Sequence, residues 1–203
     1  MMTDRQAEKA RHRRLGQAVR RRIAADRRRA AAQAVAVWAP DLKRLAHGGA
    51  VSCFSTYGSE LDTALLIAAL GRHGCPVALP IVIGWGKPLV FRRWRPGDPT
   101  KAGAFGIREP LDTAPLVKPS VLLVPLLCFD RRGFRVGYGG GFYDRTIAAA
   151  RADRRIAAVG LAFADQEVGR VPVGRYDLPV DSVLTERGLV ICSGGARAAA
   201  LRW

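Results

Sequence analysis

Residues 135–145 read RVGYGGGFYDR, and this stretch indicates how the chain folds around a ligand. It follows an apolar, β-branched run at 120–129, which predicts a strand, and it precedes a helix-like segment at 146–152. Four of the five residues 137–141 are glycines, so the loop backbone can approach a bound molecule closely. A glycine loop that opens into a helix presents unpaired N–H groups, and these favour an anionic ligand.

Charged side chains border this glycine loop. Arg135 and Arg145 suit phosphate oxygens, and Asp144 suits a hard cation such as Mg²⁺. Together they indicate a nucleoside-triphosphate site. Two common phosphate motifs do not match: Phe142 stands where the dinucleotide fingerprint needs its third glycine, and no Gly-Lys-Ser/Thr closes the loop. A tight turn with a purely structural role is the alternative.

The rest of the chain alternates predicted helices and strands. Helices are expected at 5–24 and 27–39, with Asp26 as an N-cap and Pro40 as a stop, and after a capping box at 59–62 that opens a helix to Arg72. Further strands are expected at 50–57, 77–83, 89–94, 156–162, 182–185 and 189–192. Pro80 would weaken the strand at 77–83 or place it at an edge.

This alternation predicts an α/β fold: a single-domain three-layer sandwich with a mainly parallel sheet and helices on both faces. In such sheets ligands bind at the carboxyl ends of the strands, which is where the glycine loop falls. The domain is expected to span residues 1–203, with a basic N-terminal helical segment at 1–44 and a weakly structured tail at 194–203.

Composition limits the class of protein. The chain has 203 residues, 49% of them hydrophobic, which fits one globular domain. No apolar run approaches the roughly 20 residues that span a bilayer, and neither a signal peptide nor a mitochondrial presequence fits the N-terminus. We therefore expect a cytoplasmic protein without membrane contact. The four cysteines form no CxxC pair, so buried free thiols are expected rather than a zinc site.

The net charge is +16, and residues 1–44 hold thirteen Lys or Arg against four Asp or Glu. Such a field favours polyanionic ligands, including nucleic acid. However, Leu15, Val19 and Ile23 recur at helical spacing, so the arginines can equally be the solvated face of an amphipathic helix. We expect specific nucleic-acid binding to be absent.

Several segments together resemble one enzyme family. Residues 124–130, Gly133 and residues 135–145 closely resemble the signature of the 5-formyltetrahydrofolate cyclo-ligase (methenyltetrahydrofolate synthetase) family. The similarity covers most of the chain. Its weaker matches are Tyr57 with 60–63, then 79–82, 89–92, 106–110, 160–163 with Gln166, and 180–186. Each short match is weakly specific, but their order and spacing are strongly specific.

The resemblance implies a reaction in which ATP and 5-formyltetrahydrofolate become 5,10-methenyltetrahydrofolate, ADP and phosphate, with Mg²⁺. ATP phosphorylates the formyl oxygen, N10 of the folate attacks the activated carbon, and phosphate leaves. The enzyme must align the γ-phosphate with that oxygen and neutralise charge, which is mainly positioning and electrostatics. The resemblance also implies ATP and the folate as partners, and we expect a monomer.

The resemblance implies a role for each matching residue. Tyr143 and Arg145 would act at the reacting formyl group, and Asp144 and Asp181 would hold Mg²⁺. The residues implied to bind ATP are His12, Arg13, Arg14, Arg135, Gly137, Tyr138, Gly139, Gly140, Gly141, Phe142 and Tyr143. The residues implied to bind the folate are Ser55, Glu60, Phe105, Tyr138 and Phe142. Of these, Phe105, Phe142 and Asp181 can also be read as plain core or turn residues.

One departure from the family concerns the N-terminus. The family usually carries a Lys-x-x-Leu-Arg segment whose lysine meets the ATP phosphates. Aligning on Leu15 and Val19 puts His12 at the lysine position and Gly16 at the arginine position, so neighbouring cations (Lys9, Arg11, Arg13 or Arg14) would have to substitute.

Two other functions stay open at this point. One is a protein of this fold that binds RNA or another polyanion, and the other is a kinase or ligase for a different small molecule.

Overall fold

The computed structural model describes residues 4–153 and 155–195. The helices are α1 (Asp4–Arg22), α2 (Ala25–Ala36), α3 (Ala39–Ala46), α4 (Ala64–Arg72) and α5 (Phe142–Asp153). The strands are β1 (Val51–Ser52), β2 (Val77–Ile81), β3 (Val90–Arg93), β4 (Thr100–Ala102), β5 (Arg108–Pro110), β6 (Val121–Pro125), β7 (Cys128–Phe129), β8 (Arg135–Val136), β9 (Ala157–Leu161), β10 (Ser182–Thr185) and β11 (Gly188–Ile191). Short 3-10 turns lie at Ala104–Gly106 and Ala164–Gln166.

Seven strands form one sheet in the order β11-β10-β9-β6-β1-β2-β3. The five inner strands run parallel, and an antiparallel strand closes each edge. At the centre, Val121 of β6 pairs with Val51 of β1 on one side and with Ala157 of β9 on the other. The mainly parallel α/β sheet predicted from the sequence is confirmed.

Side chains of β6 alternate between two hydrophobic cores, as the period of a strand requires. Val121 and Leu123 pack with residues of α2, α3 and α4 on one face. Leu122 and Val124 pack with Ile147 of α5 on the other face. Helices therefore cover both faces of the sheet, which confirms the predicted three layers.

Several predicted boundaries are wrong. The sequence reading ends a helix at Pro40, but Pro40 lies in the first turn of α3, where a proline is tolerated because its missing N–H has no partner there. The helix expected from Ser59 begins only at Ala64. The predicted capping box does not form, because the carboxylate of Asp62 accepts a hydrogen bond from the Ala64 backbone N–H (2.9 Å) and the residue that precedes α4 is Thr63.

The strand expected at 50–57 is only two residues long, and this explains the position of Pro80. The last residue of β1, Ser52, pairs with Ala78 of β2, so β2 has no partner on that side at Pro80. Pro80 pairs with Phe91 of β3 on its other side. A proline is tolerated there because the strand has an open edge at that point.

Helix α1 faces the protein with a side that the sequence did not predict. Leu15, expected in the apolar stripe, is 53% exposed, whereas Gly16 and Arg20 are buried. A Cβ atom on Gly16 would lie 2.3 Å from the Leu127 carbonyl oxygen, so the helix backbone packs directly on the chain after β6. The absence of a side chain at Gly16 sets how closely α1 approaches the sheet.

The remaining expectations concern the cysteines, the membrane and the C-terminus. All four cysteines are buried and unpaired, as predicted. Within the described ranges, no helix is long and apolar enough to cross a bilayer. The tail predicted at 194–203 lies outside the described residues except for Gly194 and Gly195, and Gly194 donates a hydrogen bond to the Arg132 carbonyl oxygen (3.1 Å).

Replacing Gly16 by alanine should destabilise the protein by about 1–3 kcal/mol, because the new methyl group overlaps the Leu127 backbone. The matched control is Gly71→Ala in α4, where no atom lies within 4 Å of the added Cβ. That variant should gain up to about 1 kcal/mol from helix propensity. Urea unfolding of both variants measures the difference. A stabilised Gly16→Ala variant would show that α1 does not rest on Leu127.

Candidate active site

A cleft of about 470 Å³ opens at the carboxyl edge of the sheet. Segments that follow β1, β2 and β6 supply most of its walls, and α1 closes one side. The site residues predicted from the sequence that line it are Arg13, Ser55, Glu60, Phe105, Arg135, Gly137, Tyr138, Gly139, Gly140, Gly141, Phe142, Tyr143 and Asp144. Those that do not line it are His12, Arg14, Arg145 and Asp181.

The glycine loop (residues 137–141) runs directly into α5, whose first residue is Phe142. Gly139 and Gly141 have φ angles of 103° and 64°, a conformation that side chains disfavour. The loop and the first turn of α5 both border the cleft. Backbone N–H groups at a junction of this kind suit phosphate oxygens.

Arg145 braces this loop from behind instead of entering the cleft. Its guanidinium donates hydrogen bonds to the carbonyl oxygens of Gly140 and Lys87, and it lies over the Phe142 ring, 5.5 Å from the centroid. The resemblance implied a role for Arg145 at the reacting formyl group. In the structure its side chain does not line the cleft and instead holds the glycine loop.

Two cations of α1 reach the cleft from the opposite side. Lys9 forms an ion pair with Asp177, and Arg13 Nε donates a hydrogen bond to the Gly137 carbonyl oxygen (3.1 Å). His12 is turned away, and its Nδ1 lies 3.0 Å from the Glu8 carbonyl oxygen of its own helix. Residues four apart share a helix face, so Lys9 and Arg13 face the cleft together, whereas His12, next to Arg13, is turned from it by about 100° around the helix.

A buried arginine and two aspartates form the charged floor of the cleft. Arg135 donates to Asp144 Oδ1 (2.9 Å) and to the Leu178 carbonyl oxygen (2.6 Å). Burial lowers the pKa of Arg135, and the adjacent Asp144 carboxylate opposes that shift. Asp177, missed by the sequence analysis, accepts hydrogen bonds from Lys9 and from the Gly174 N–H (2.6 Å).

The structure does not bring Asp181 to this floor. Asp181 immediately precedes β10, so it lies at the amino end of a parallel strand, whereas the cleft is at the carboxyl ends. It is fully buried, and its carboxylate accepts hydrogen bonds from Arg151 (3.0 Å) and from the Ala158 N–H (2.8 Å). In the part of the chain that the structure describes, no three His, Cys, Asp or Glu side chains cluster as a metal site.

At the other end of the cleft, Glu60 is a buried carboxylate with both oxygens engaged. Oε2 accepts a hydrogen bond from the Tyr57 N–H and Oε1 accepts one from the Tyr138 hydroxyl, each at 2.9 Å. Burial raises the pKa of Glu60, and these two hydrogen bonds with the nearby Arg20 partly offset the rise. Tyr138 belongs to the glycine loop, so this loop contacts Glu60 directly.

Tyr143 also lines the cleft, where it interacts with both Glu60 and Arg135. Burial, followed by the charge of Glu60, raises the pKa of its phenol well above the ordinary value. The hydroxyl is therefore neutral at physiological pH and can donate a hydrogen bond, but it cannot act as a base.

Three aromatic rings stand at the mouth of the cleft. The Trp85 ring centroid is 5.6 Å from that of Phe105 and 5.7 Å from that of Phe142. Trp85 and Phe105 are 73% and 54% exposed, and Phe105 has a positive φ of 59°. The sequence analysis missed Trp85, although an aromatic residue between two glycines in a turn is a signal that could have indicated it.

Two further polar residues, Ser55 and Glu109, line the cleft. The Ser55 hydroxyl donates to the Arg108 carbonyl oxygen (2.9 Å), which ties the segment after β1 to β5. Glu109, also missed by the sequence analysis, is buried at the cleft and accepts a hydrogen bond from the Val82 N–H (3.1 Å).

Comparisons with known proteins identify the family. A model of the 5-formyltetrahydrofolate cyclo-ligase family matches residues 5–186. The 5-formyltetrahydrofolate cyclo-ligase of Mycolicibacterium smegmatis is 35% identical over 168 residues, 78% of this chain and 84% of the relative. That of Haemophilus influenzae is 34% identical over 139 residues, 66% of this chain and 74% of the relative.

A solved structure supports the same assignment. The 5,10-methenyltetrahydrofolate synthetase of Aquifex aeolicus superposes with a TM-score of 0.74 at 26% identity, and the match covers 90% of this chain and 92% of that one. The family match extends over the glycine loop, Glu60 and the cations of α1. From the sequence, the fold and the cleft together, we conclude that the chain belongs to the 5-formyltetrahydrofolate cyclo-ligase family.

Proposed function

We propose that the cleft holds ATP at the glycine loop and 5-formyltetrahydrofolate at Glu60, and closes the folate ring between them. As a member of its family, the chain is an ATP-dependent ligase that converts 5-formyltetrahydrofolate to 5,10-methenyltetrahydrofolate. One observation carries the assignment of the two ends: the Tyr138 hydroxyl of the glycine loop donates to Glu60, so the two proposed subsites adjoin.

The phosphate end of the cleft has the donors that a triphosphate needs. N–H groups of the glycine loop and of the first turn of α5 border it, and Lys9, Arg13 and Arg135 add three cations. The spacing of four residues between Lys9 and Arg13 equals that in the Lys-x-x-Leu-Arg segment of the family. We therefore assign Lys9 and Arg13 to that segment, with His12 at the leucine position, and withdraw the alignment on Leu15.

Asp144 is the residue that would hold Mg²⁺. Both hydrogen bonds that it accepts from described residues use Oδ1, so Oδ2 can face a ligand. Mg²⁺ is commonly held by one or two carboxylates together with substrate phosphates, and a single aspartate beside a triphosphate fits that pattern. The ion would supply neutralisation of charge on the phosphates.

At the folate end, Glu60 would accept hydrogen bonds from N–H groups of the pterin. Each of its oxygens already accepts one hydrogen bond and has capacity for another. The rings of Trp85, Phe105 and Phe142 would pack against the aromatic parts of the folate, and Ser55 borders the same space.

Chemistry takes place where the two subsites meet. The formyl oxygen attacks the γ-phosphorus and ADP leaves. N10 then attacks the formyl carbon, the N10 proton is lost, and the bond from that carbon to the phosphate oxygen breaks as phosphate leaves. The protein's contribution is to align the two substrates and stabilise the charge that moves onto the leaving groups. Arg135 supplies fixed positive charge beneath them, and the neutral phenol of Tyr143 can donate to an oxygen of the reacting group.

The setting in which the protein acts is also a proposal. Four buried, unpaired cysteines suit a reducing compartment such as the cytoplasm. We also propose that the protein acts as a monomer.

The purified protein should convert 5-formyltetrahydrofolate to the methenyl form and release one ADP for each product. Absorbance of the methenyl product and a coupled ADP assay measure the two quantities in the same reaction. A protein that binds ATP yet leaves 5-formyltetrahydrofolate unchanged, beside a control enzyme that converts it, would refute the proposal.

Lys9→Ala should raise the KM for ATP at least about tenfold, because one charge-assisted phosphate contact contributes roughly 1.5–3 kcal/mol. His12→Ala, three positions along the same helix, should leave that KM unchanged. Steady-state kinetics at saturating folate distinguish the two variants. Loss of ATP binding in His12→Ala, with Lys9→Ala unaffected, would restore the alignment on Leu15.

Asp144→Asn should raise the Mg²⁺ concentration for half-maximal rate by about tenfold, since a neutral amide is a poorer ligand for a hard cation. Asp181→Asn provides the comparison. That variant should lower the melting temperature, because it weakens buried hydrogen bonds to Arg151 and Ala158, yet leave the Mg²⁺ requirement unchanged. A Mg²⁺ titration of each variant decides whether one aspartate or both serve the metal.

A further inference from the structure

Arg20 of α1 is a charged side chain placed inside the protein. It is only 3% exposed, and one of its amino groups donates a hydrogen bond to the Tyr138 hydroxyl (2.6 Å). The other amino group lies 3.9 Å from Glu60 Oε1. An arginine buried in this way costs free energy unless its charge is compensated, and Glu60 is the carboxylate beside it.

These contacts form a relay that ends at the folate side of the cleft. Arg20 donates to the Tyr138 hydroxyl, and that hydroxyl donates in turn to Glu60 Oε1 (2.9 Å). The guanidinium also lies over the Tyr138 ring, 5.6 Å from its centroid. Among the described residues, the Nε of Arg20 has no hydrogen-bond partner. The contacts with Tyr138 and Glu60 therefore leave one donor of the guanidinium unsatisfied.

We propose that Arg20 is a positioning residue for folate recognition, which fixes Tyr138 and holds Glu60 as an ionised acceptor for the pterin. The inference rests on the proposed function of Glu60. Arg20 lies behind Glu60, since Glu60 and Tyr138 line the cleft and Arg20 does not. It therefore acts on the substrate only through those two residues.

The charge of Glu60 depends on this arrangement. Burial raises the pKa of Glu60, and the hydrogen bonds from the Tyr57 N–H and the Tyr138 hydroxyl, followed by the charge of Arg20, oppose the rise. Among the described residues, Tyr138 of the glycine loop and Tyr143 of α5 also interact with Glu60, and both are neutral phenols. Arg28 of α2 contacts the neighbouring Ser59 carbonyl oxygen (3.0 Å). Without Arg20, Glu60 would be protonated at a higher pH and would lose acceptor capacity for pterin N–H groups.

Arg20 also shares a helix face with the proposed ATP contacts. Lys9, Arg13, Gly16 and Arg20 are spaced by four, three and four residues, which places them along one side of α1. A single rigid helix thus contacts the phosphate end with its first half and the carboxylate end with its second half.

The test replaces Arg20 by glutamine and by lysine, with the exposed neighbour Arg21→Gln as the matched control. For Arg20→Gln we expect the KM for 5-formyltetrahydrofolate to rise about tenfold, or about 1.4 kcal/mol, while the KM for ATP changes by less than about threefold. The acid limb of folate binding should move to higher pH, because Glu60 loses its cation. Arg20→Lys should restore part of both effects, and Arg21→Gln should match the wild type.

Three outcomes would overturn the inference. The first is an Arg20→Gln variant whose KM for the folate and whose pH profile are both unchanged. The second is an Arg20→Gln variant whose KM rises equally for both substrates and whose melting temperature falls, because that result indicates a purely structural role. If Arg20→Gln does not fold, Tyr138→Phe is used in its place, because it removes the hydroxyl that links Arg20 to Glu60. The third outcome is an unchanged KM for the folate in Tyr138→Phe. A wild-type protein that does not convert the folate would instead refute the proposed function.

Discussion

Parallel pairing of β1, β2 and β6 is the constraint on which the rest of the structure depends. Strands that run in the same direction end at the same edge, so the segments that follow them open into one space. Glu60 follows β1, Trp85 follows β2, and the glycine loop follows β6. Residues separated by about eighty positions in the chain come together because of strand direction alone. The same rule explains why Asp181 does not line the cleft: it precedes β10 and so lies at the opposite edge of the sheet.

Seating of α1 is the second requirement, and it depends on the smallest side chain in the helix. Gly16 lets the backbone of α1 approach the Leu127 carbonyl oxygen, and this places the charged face of α1 against the glycine loop. Burying the cations of α1 at this position costs free energy, and their ion pairs with carboxylates of the protein offset part of that cost. Bound substrate phosphates would offset more of it. Stability and ligand binding therefore draw on the same contacts of α1.

Sequence patterns predicted the part of the site whose structure is local. The apolar run, the four glycines and the beginning of the helix all lie within about thirty residues of one another. The loop forms as expected between β6 and α5, although the short strands β7 and β8 intervene. The rotation of α1 could not be predicted this way. Of the predicted apolar stripe of Leu15, Val19 and Ile23, only Ile23 is buried, and tertiary packing also buries Gly16 and Arg20. A stripe of apolar residues says little about a helix whose inner face binds charge.

The helical phase of α1 has a consequence for how this segment can vary among relatives. Each residue of an α-helix turns the next by about 100°, so one inserted or deleted residue between Lys9 and Gly16 would swing Lys9 away from the cleft. Changing the letters between those positions leaves the phase intact. Substitution should thus be tolerated where a change in length is not, and an alignment of this segment is better anchored on the spacing of its cations and glycine than on its leucine.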